Sequence, residues 1–346
     1  MPTIAQARDH WTPAGVYLNT ASYGLPPRDG FDALQVALAD WRGGRTSWEH
    51  WGESSEGARA AFAAMVGVPA DRVAIGATVS EFVGQAAACL PAGSRVLVPD
   101  VEFTSTLFPF LVQEARGVVV ETVAPSKLAE AIDARTDVVA FSAVQMSTGE
   151  VADLDAIVAA AAHHGALTLL DATQACGWLP IDATHLDGVV CSAYKWLMSP
   201  RGTSFMAVGD AWLERIVPHS AGWYAGADIH QSYFGPPLRL ATGARRLDTS
   251  PAWFSWVGTQ PALELLNDIG IDAVNAHDVA LANRFRAGLG LEPSNSAIAS
   301  VDLPGGAERL ERAGIMASER GGRLRASWHV YNTEADVDAT LDALSG

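Results

Sequence analysis

The sequence predicts an α/β protein: a large domain with a mainly parallel sheet between helices, then a small α+β C-terminal domain. Short β-rich runs alternate with Ala-rich helical stretches from about residue 72 onward. The runs are apolar throughout rather than alternating, as in strands covered on both faces. A stretch rich in Gly, Pro, Arg and Thr, Pro236 to Ser250, breaks the pattern, and a different arrangement follows it.

In chain order, Arg72 to Ile75, Arg95 to Val98, Gly117 to Val120, Asp137 to Phe141, Ala166 to Leu170 and Gly188 to Val190 read as strands. Between them, Glu81 to Cys89, Phe103 to Ala115, Leu128 to Ala134 and Asp153 to His163 read as helices. Beyond Pro261 come two helical stretches, strand-like Ala297 to Val301 and Leu324 to Ser327, and a final helix. The expected division is an N-terminal segment, residues 1–20, packing on the small domain, a large domain over 21–255 and a small one over 256–346. The segment Trp41 to Trp51 holds three tryptophans with Arg42, Arg45 and His50 among them. It reads as packing or a subunit contact ahead of substrate binding.

With 49% apolar residues among 346, the chain can bury a sizeable core. The net charge of -16 is spread along the chain, which disfavours nucleic acid and anionic membranes as partners. Cys89, Cys176 and Cys191 form no CxxC pair and are odd in number, which suits a reducing compartment. The N-terminus carries no signal pattern, and no apolar stretch approaches the roughly 20 residues of a membrane span. A cytoplasmic protein is expected.

Only two lysines occur, Lys127 and Lys195, against 21 arginines. Lysine can lose its proton near neutral pH and attack a carbonyl carbon to form a Schiff base, which arginine cannot. Lys195 sits just after an apolar run, in Gly-Val-Val-Cys-Ser-Ala-Tyr-Lys-Trp-Leu, and is the first catalytic candidate; a solvated loop charge is the plainer alternative. Asp171 ends the apolar run Leu167-Thr-Leu-Leu, at the sheet edge where ligands of open α/β folds bind. An ionised carboxylate there needs a cation, and the protonated ring nitrogen of pyridoxal 5′-phosphate is one; a helix N-cap is the alternative. Val73-Ala-Ile-Gly76-Ala77-Thr78 reads as strand, turn and helix start, offering amides and a hydroxyl to a phosphate, or an ordinary N-cap. Dinucleotide, P-loop, G-x-S-x-G and H-E-x-x-H signatures are missing, and the nine histidines lack metal-ligand spacing.

Taken together, these segments resemble the class V aminotransferases, the pyridoxal-phosphate enzymes that include cysteine desulfurases and kynureninases. The likeness runs from Leu18-Asn-Thr-Ala-Ser-Tyr-Gly24 to Tyr331-Asn-Thr333. It implies fold type I with a seven-stranded type of sheet, pyridoxal 5′-phosphate on Lys195, and Ser192 and Tyr194 at the phosphate, although many members have His where Tyr194 stands. It implies Ala77 and Thr78 in the phosphate turn, Phe103 stacked on the pyridine, Asp171 at the ring nitrogen, and Gln174 at the phenolic oxygen. Gln145 stands where relatives often carry Asn. Trp256-Val-Gly-Thr259 resembles the segment donated to a neighbouring subunit's phosphate, which implies a homodimer with shared sites and Thr259 at the cofactor. Gly322-Arg-Leu-Arg325-Ala-Ser327 resembles the strand whose arginine grips the substrate carboxylate. Motif register selects Arg325 over Arg323, and a surface salt bridge is the alternative for either.

The implied chemistry is attack of an amino acid on the cofactor Schiff base, loss of the α-proton to Lys195, and a Cα carbanion held by the ring. An amino-acid aminotransferase is the first reading. A β-elimination or C–S lyase, or a racemase, is the alternative, and a catalytically silent cofactor-binding protein ranks last. No cysteine lies beyond Cys191, which argues against persulfide transfer from a C-terminal loop. Asn19, Ser22 and Tyr23 are expected at the substrate pocket, or as a turn before Pro26 and Pro27.

Overall fold

The computed structural model describes residues 2–345. Its large sheet holds β1 (Val73–Gly76), β2 (Arg95–Pro99), β3 (Val119–Val123), β4 (Val138–Ser142), β5 (Leu167–Asp171), β6 (Gly188–Ser192) and β7 (Ser204–Val208). The order is β1-β7-β6-β5-β4-β2-β3, with β7 antiparallel to both neighbours and the remaining pairs parallel. β1, β4, β5 and β7 are buried along their whole length, as unbroken apolar runs predict, whereas β3, at one edge, is half exposed. Within this sheet, β7 is the strand the sequence reading lacks. Its run Ser-Phe-Met-Ala-Val follows the lysine motif after a short turn and returns antiparallel, outside the strand-helix alternation.

Helices Val79–Ala88, Thr104–Leu111, Leu128–Ala131 and Leu154–His164 occupy the expected stretches with shifted ends. The expected helix to Ala115 tightens into a 3-10 turn at Val112–Arg116, and that to Ala134 is shorter by three residues. Two longer helices, Arg28–Arg42 and Trp48–Met65, precede β1. Phe62 stacks on Phe205 of β7 at 4.4 Å and 4°, a pair worth roughly 0.5–1.5 kcal/mol beyond area burial.

A second sheet of three antiparallel strands runs β8 (Ile298–Val301), β10 (Arg323–Ser327), β9 (Ser318–Arg320), covered by helices Ile271–Gly288 and Glu334–Ser345. The N-terminal segment joins it: the amide of Ser327 donates to Leu18 O at 2.8 Å, and that of Leu18 to Met316 O at 2.7 Å. The expected division at 255/256 falls inside helix Trp253–Ile269, which lies along Arg28–Arg42 and Trp48–Met65. Within the Trp-rich segment, Trp41 and Trp51 both meet Phe254, and Trp48 meets Trp223 and Trp253, so its tryptophans pack within their own chain. The break at Pro236 to Ser250 is anchored as well: buried Asp248 takes the Ile75 amide at 2.8 Å and pairs with buried Arg59 at 2.6 Å.

Candidate active site

The parallel strands deliver their carboxyl ends to one edge, where a cavity of about 210 Å3 opens. Ala77, Thr78, Phe103, Asp171, Gln174, Ser192, Tyr194 and Lys195 all line it, though they span more than a hundred residues of sequence. Asp171 closes β5 and is buried. Its Oδ1 accepts the Thr173 amide at 2.8 Å and its Oδ2 the Thr106 hydroxyl at 2.9 Å. Two bonds leave acceptor capacity on the carboxylate, so the turn geometry and a cationic partner are compatible readings of one residue.

Lys195 follows β6 in a turn buried to 7% exposure. Its Nζ stands 5.6 Å from the Phe103 ring centre and 5.7 Å from that of Tyr194. Burial pushes its pKa down to about 8; the Asp171 charge opposes the shift, and Arg325 adds to it. The turn is held from several sides. Gln174 takes the Trp196 indole N–H at 2.8 Å and donates to Ala21 O at 2.9 Å. His329 Nε2 must donate to the Trp196 carbonyl, 2.9 Å away, because a carbonyl only accepts; its Nδ1 meets Asp278 Oδ2 at 2.8 Å. Gly24 is glycine for a steric reason: a Cβ there would collide with the backbone carbonyl of Lys195.

At the opposite rim, Thr78 caps helix Val79–Ala88 through the Glu81 amide at 3.3 Å, and its neighbours Ala77 and Ser80 are exposed to the cavity. A hydroxyl-bearing helix start suits a phosphate. An acidic floor, a basic lysine and this rim together fit pyridoxal phosphate. Asp171 would hold the ring nitrogen, Lys195 the carbonyl carbon, and the rim the phosphate.

Of the expected residues, Gln145, Thr259, Arg325, Tyr23 and Asn19 do not line this cavity. Gln145 lies beside a neighbouring cavity and directs its amide N–H to Glu102 at 3.4 Å, because its backbone is tied into the turn with Gly149 and Glu150. Thr259 is fully buried in this chain, with its hydroxyl on Ser255 O at 2.8 Å. On the small-domain side, Arg325 is wholly buried, whereas Arg323 is exposed and bonded to Ser300. Tyr23 packs its ring 5.4 Å from Tyr194. Asn19 bridges to Ser327 of β10, and its Oδ1 is buried without a partner among the described residues.

Sequence reasoning missed Glu102 and Arg201. Glu102 accepts the amides of Ser142 and Phe103, both at 2.7 Å, and the Ser142 hydroxyl. Burial pushes its carboxyl pKa up, the Ser142 hydroxyl bond pulls it down, and the Asp171 charge raises it further. It thereby fixes the backbone of Phe103. Arg201 lies 4.7 Å above the Tyr194 ring. An acid just past an apolar run was the only signal for Glu102, the same signal that singles out Asp171.

Residues 34–304 match the family profile described as aminotransferase class-V. The chain belongs to the class-V aminotransferase family. Pyridoxal phosphate is its cofactor. Among relatives, the chain is 27% identical to an uncharacterized aminotransferase, YcbU, of Bacillus subtilis, with 87% of this chain and 85% of that protein covered. It is 26% identical to isopenicillin N epimerase of Streptomyces clavuligerus, covering 98% and 96%. The crystal structure of the cysteine desulfurase CsdA from Escherichia coli shares the fold, with a TM-score of 0.86, 22% identity, and 100% and 98% of the two chains covered. The sheet order and small antiparallel sheet described above are thus those of pyridoxal-phosphate fold type I.

Proposed function

We propose that this class-V enzyme is an amino-acid aminotransferase. The observation that carries the reading is one buried amine, Lys195, facing one buried carboxylate, Asp171, across a single cavity. Bound pyridoxal phosphate supplies a carbonyl that captures amino groups and a ring that draws electrons from the bonds around Cα. Asp171 keeps the proton on the ring nitrogen. Lys195, with its proton affinity lowered by burial, takes the Cα proton at Nζ, and a pKa of about 8 suits a base working near neutrality. Arg325 receives the α-carboxylate in a bidentate fork and thereby turns the Cα–H bond toward the lysine. Phe103 limits movement over the opening.

Lys195 is the one basic group suited to this task among the described lining residues. Burial pushes the Tyr194 phenol up, which makes it a poor base, and Asp171 is committed to the ring. A single base returns the proton on the face from which it was taken. This supports transamination over racemisation, and over the epimerisation named for the Streptomyces relative. Carbon–sulfur elimination is the second reading, since a cysteine desulfurase shares the fold. Cys176 and Cys191 are buried, Cys89 lies on helix Val79–Ala88's far end, and no described cysteine lines the cavity. That argues against sulfur capture by a protein thiol.

The test is the visible spectrum of the purified enzyme with single amino acids, with keto acid and ammonia assayed together. Loss of the cofactor absorbance with keto acid released, no ammonia, and recovery on adding a second keto acid supports transamination. Ammonia accumulating with keto acid while the absorbance recovers unaided overturns it in favour of elimination.

A further inference from the structure

Arg325 is fully buried, yet every partner of its guanidinium is neutral: Ser22 Oγ at 2.6 Å, Met146 O at 2.9 Å and Ser318 Oγ at 3.2 Å. A second guanidinium reaches the same hydroxyl. Arg320 Nη2 donates to Ser22 Oγ at 3.2 Å, and its Nη1 to the backbone oxygen of Glu319 at 2.7 Å. Neither arginine forms an ion pair among the described residues. Acids are not scarce in a chain with 39 Asp and Glu against 23 Lys and Arg, and other arginines find them: Arg59 pairs with Glu56 and Asp248, and Arg284 with Asp338.

Two cations converging on one oxygen repel each other, and a buried cation without a counter-charge is costly. The arrangement is intelligible if anions complete it. Its location says which anions. Met146, whose carbonyl Arg325 holds, lines the cavity with Lys195, and Ser22 precedes Tyr23, which packs on Tyr194 of the same wall. One α-carboxylate satisfies the fork of Arg325 and leaves Arg320 over.

We propose that the site is built for a dicarboxylate, with the α-carboxylate on Arg325 and a second, side-chain carboxylate on Arg320. The inference rests on the amino-acid reading above and deepens it. The dicarboxylate can be the amino donor, an acidic amino acid, or the acceptor, a dicarboxylic 2-oxo acid; the recognition chemistry is shared.

The holoenzyme provides the test. Calorimetry compares unreactive dicarboxylates, succinate and glutarate, with propionate and butyrate. About tenfold tighter binding of the dicarboxylates is expected, the size of one partly exposed charge contact. Arg320→Gln should erase that preference and Arg320→Lys should keep part of it. Equal binding of both classes by the wild type, or a preference unchanged in Arg320→Gln, overturns the inference. Spectral half-reactions then identify the source. Faster conversion by aspartate or glutamate than by asparagine, glutamine or alanine assigns the acid to the donor. Faster reversal by oxaloacetate or 2-oxoglutarate than by pyruvate assigns it to the acceptor. Turnover of neutral amino acids with no acidic advantage in either direction overturns this inference alone. If no amino acid changes the spectrum, the aminotransferase reading falls, and the calorimetric comparison still decides dicarboxylate binding.

Discussion

Two buried cations lie close to one cavity, Lys195 lining it and Arg325 reaching its wall through the Met146 carbonyl, and their surroundings differ. Lys195, at the carboxyl edge of the large sheet, has the carboxylate of Asp171 in its field and can shed its own charge. Arg325, on β10 of the small sheet, has only hydroxyl and carbonyl partners among the described residues; burial, then Arg320, pulls its pKa down to about 10, still far above neutrality. The difference separates two tasks. Proton transfer belongs where the charge can be given up, and anion capture where it cannot.

The largest effect that can break this comparison comes from the lysine. Lys195→Ala should lower turnover by about 10^4-fold, at the upper end of what a general base contributes, with substrate affinity less affected. Turnover within tenfold of wild type would remove the lysine from the chemistry. The arginine should behave in the opposite way. Arg325→Met should weaken binding of the substrate carboxylate by about 30-fold or more, with saturated turnover less affected. KM measurements check this; a KM within about threefold of wild type would remove the arginine from carboxylate capture.

The third effect depends on pH. The folded state lowers the Lys195 pKa from 10.5 to about 8, so it binds this proton more weakly than the unfolded chain does. The resulting stability is fully present above about 10.5 and is lost as pH falls through about 8, on the order of 3 kcal/mol in all. The difference in unfolding free energy between the cofactor-free wild type and Lys195→Met should therefore rise across that window. A flat difference would show that the lysine is not desolvated. The smallest expected effect lies in the support between the domains. His329→Gln should cost about 1–3 kcal/mol of stability by unpairing Asp278, and a thermal unfolding curve superimposable on wild type would count against the His329–Trp196 link.

How far the sequence discloses this arrangement depends on the kind of residue. Asp171 and Lys195 are legible because each follows a continuous apolar run, and in a parallel sheet the ends of such runs share an edge. Thr78 is legible from its turn. β7 is not, because an antiparallel return departs from the alternation that identifies its neighbours. Glu102 and Arg320 are illegible for another reason: acids and arginines at or past strand ends are commonplace, and only contacts across 40 residues to Ser142 and 298 residues to Ser22 distinguish these two. Gln145 carries fitting chemistry in a fitting motif, yet a local turn takes it away from the cavity. Motif spacing specifies order along the chain, whereas side-chain direction is set by packing.

The central claim is that Lys195 carries the cofactor, and a chain with two lysines offers an unusually clean test. Borohydride reduction of the holoenzyme followed by peptide mass mapping should place the pyridoxyl group on the peptide containing Lys195, leaving that of exposed Lys127 unmodified. A pyridoxyl group on Lys127, or its persistence in Lys195→Ala at the wild-type level, would contradict the account.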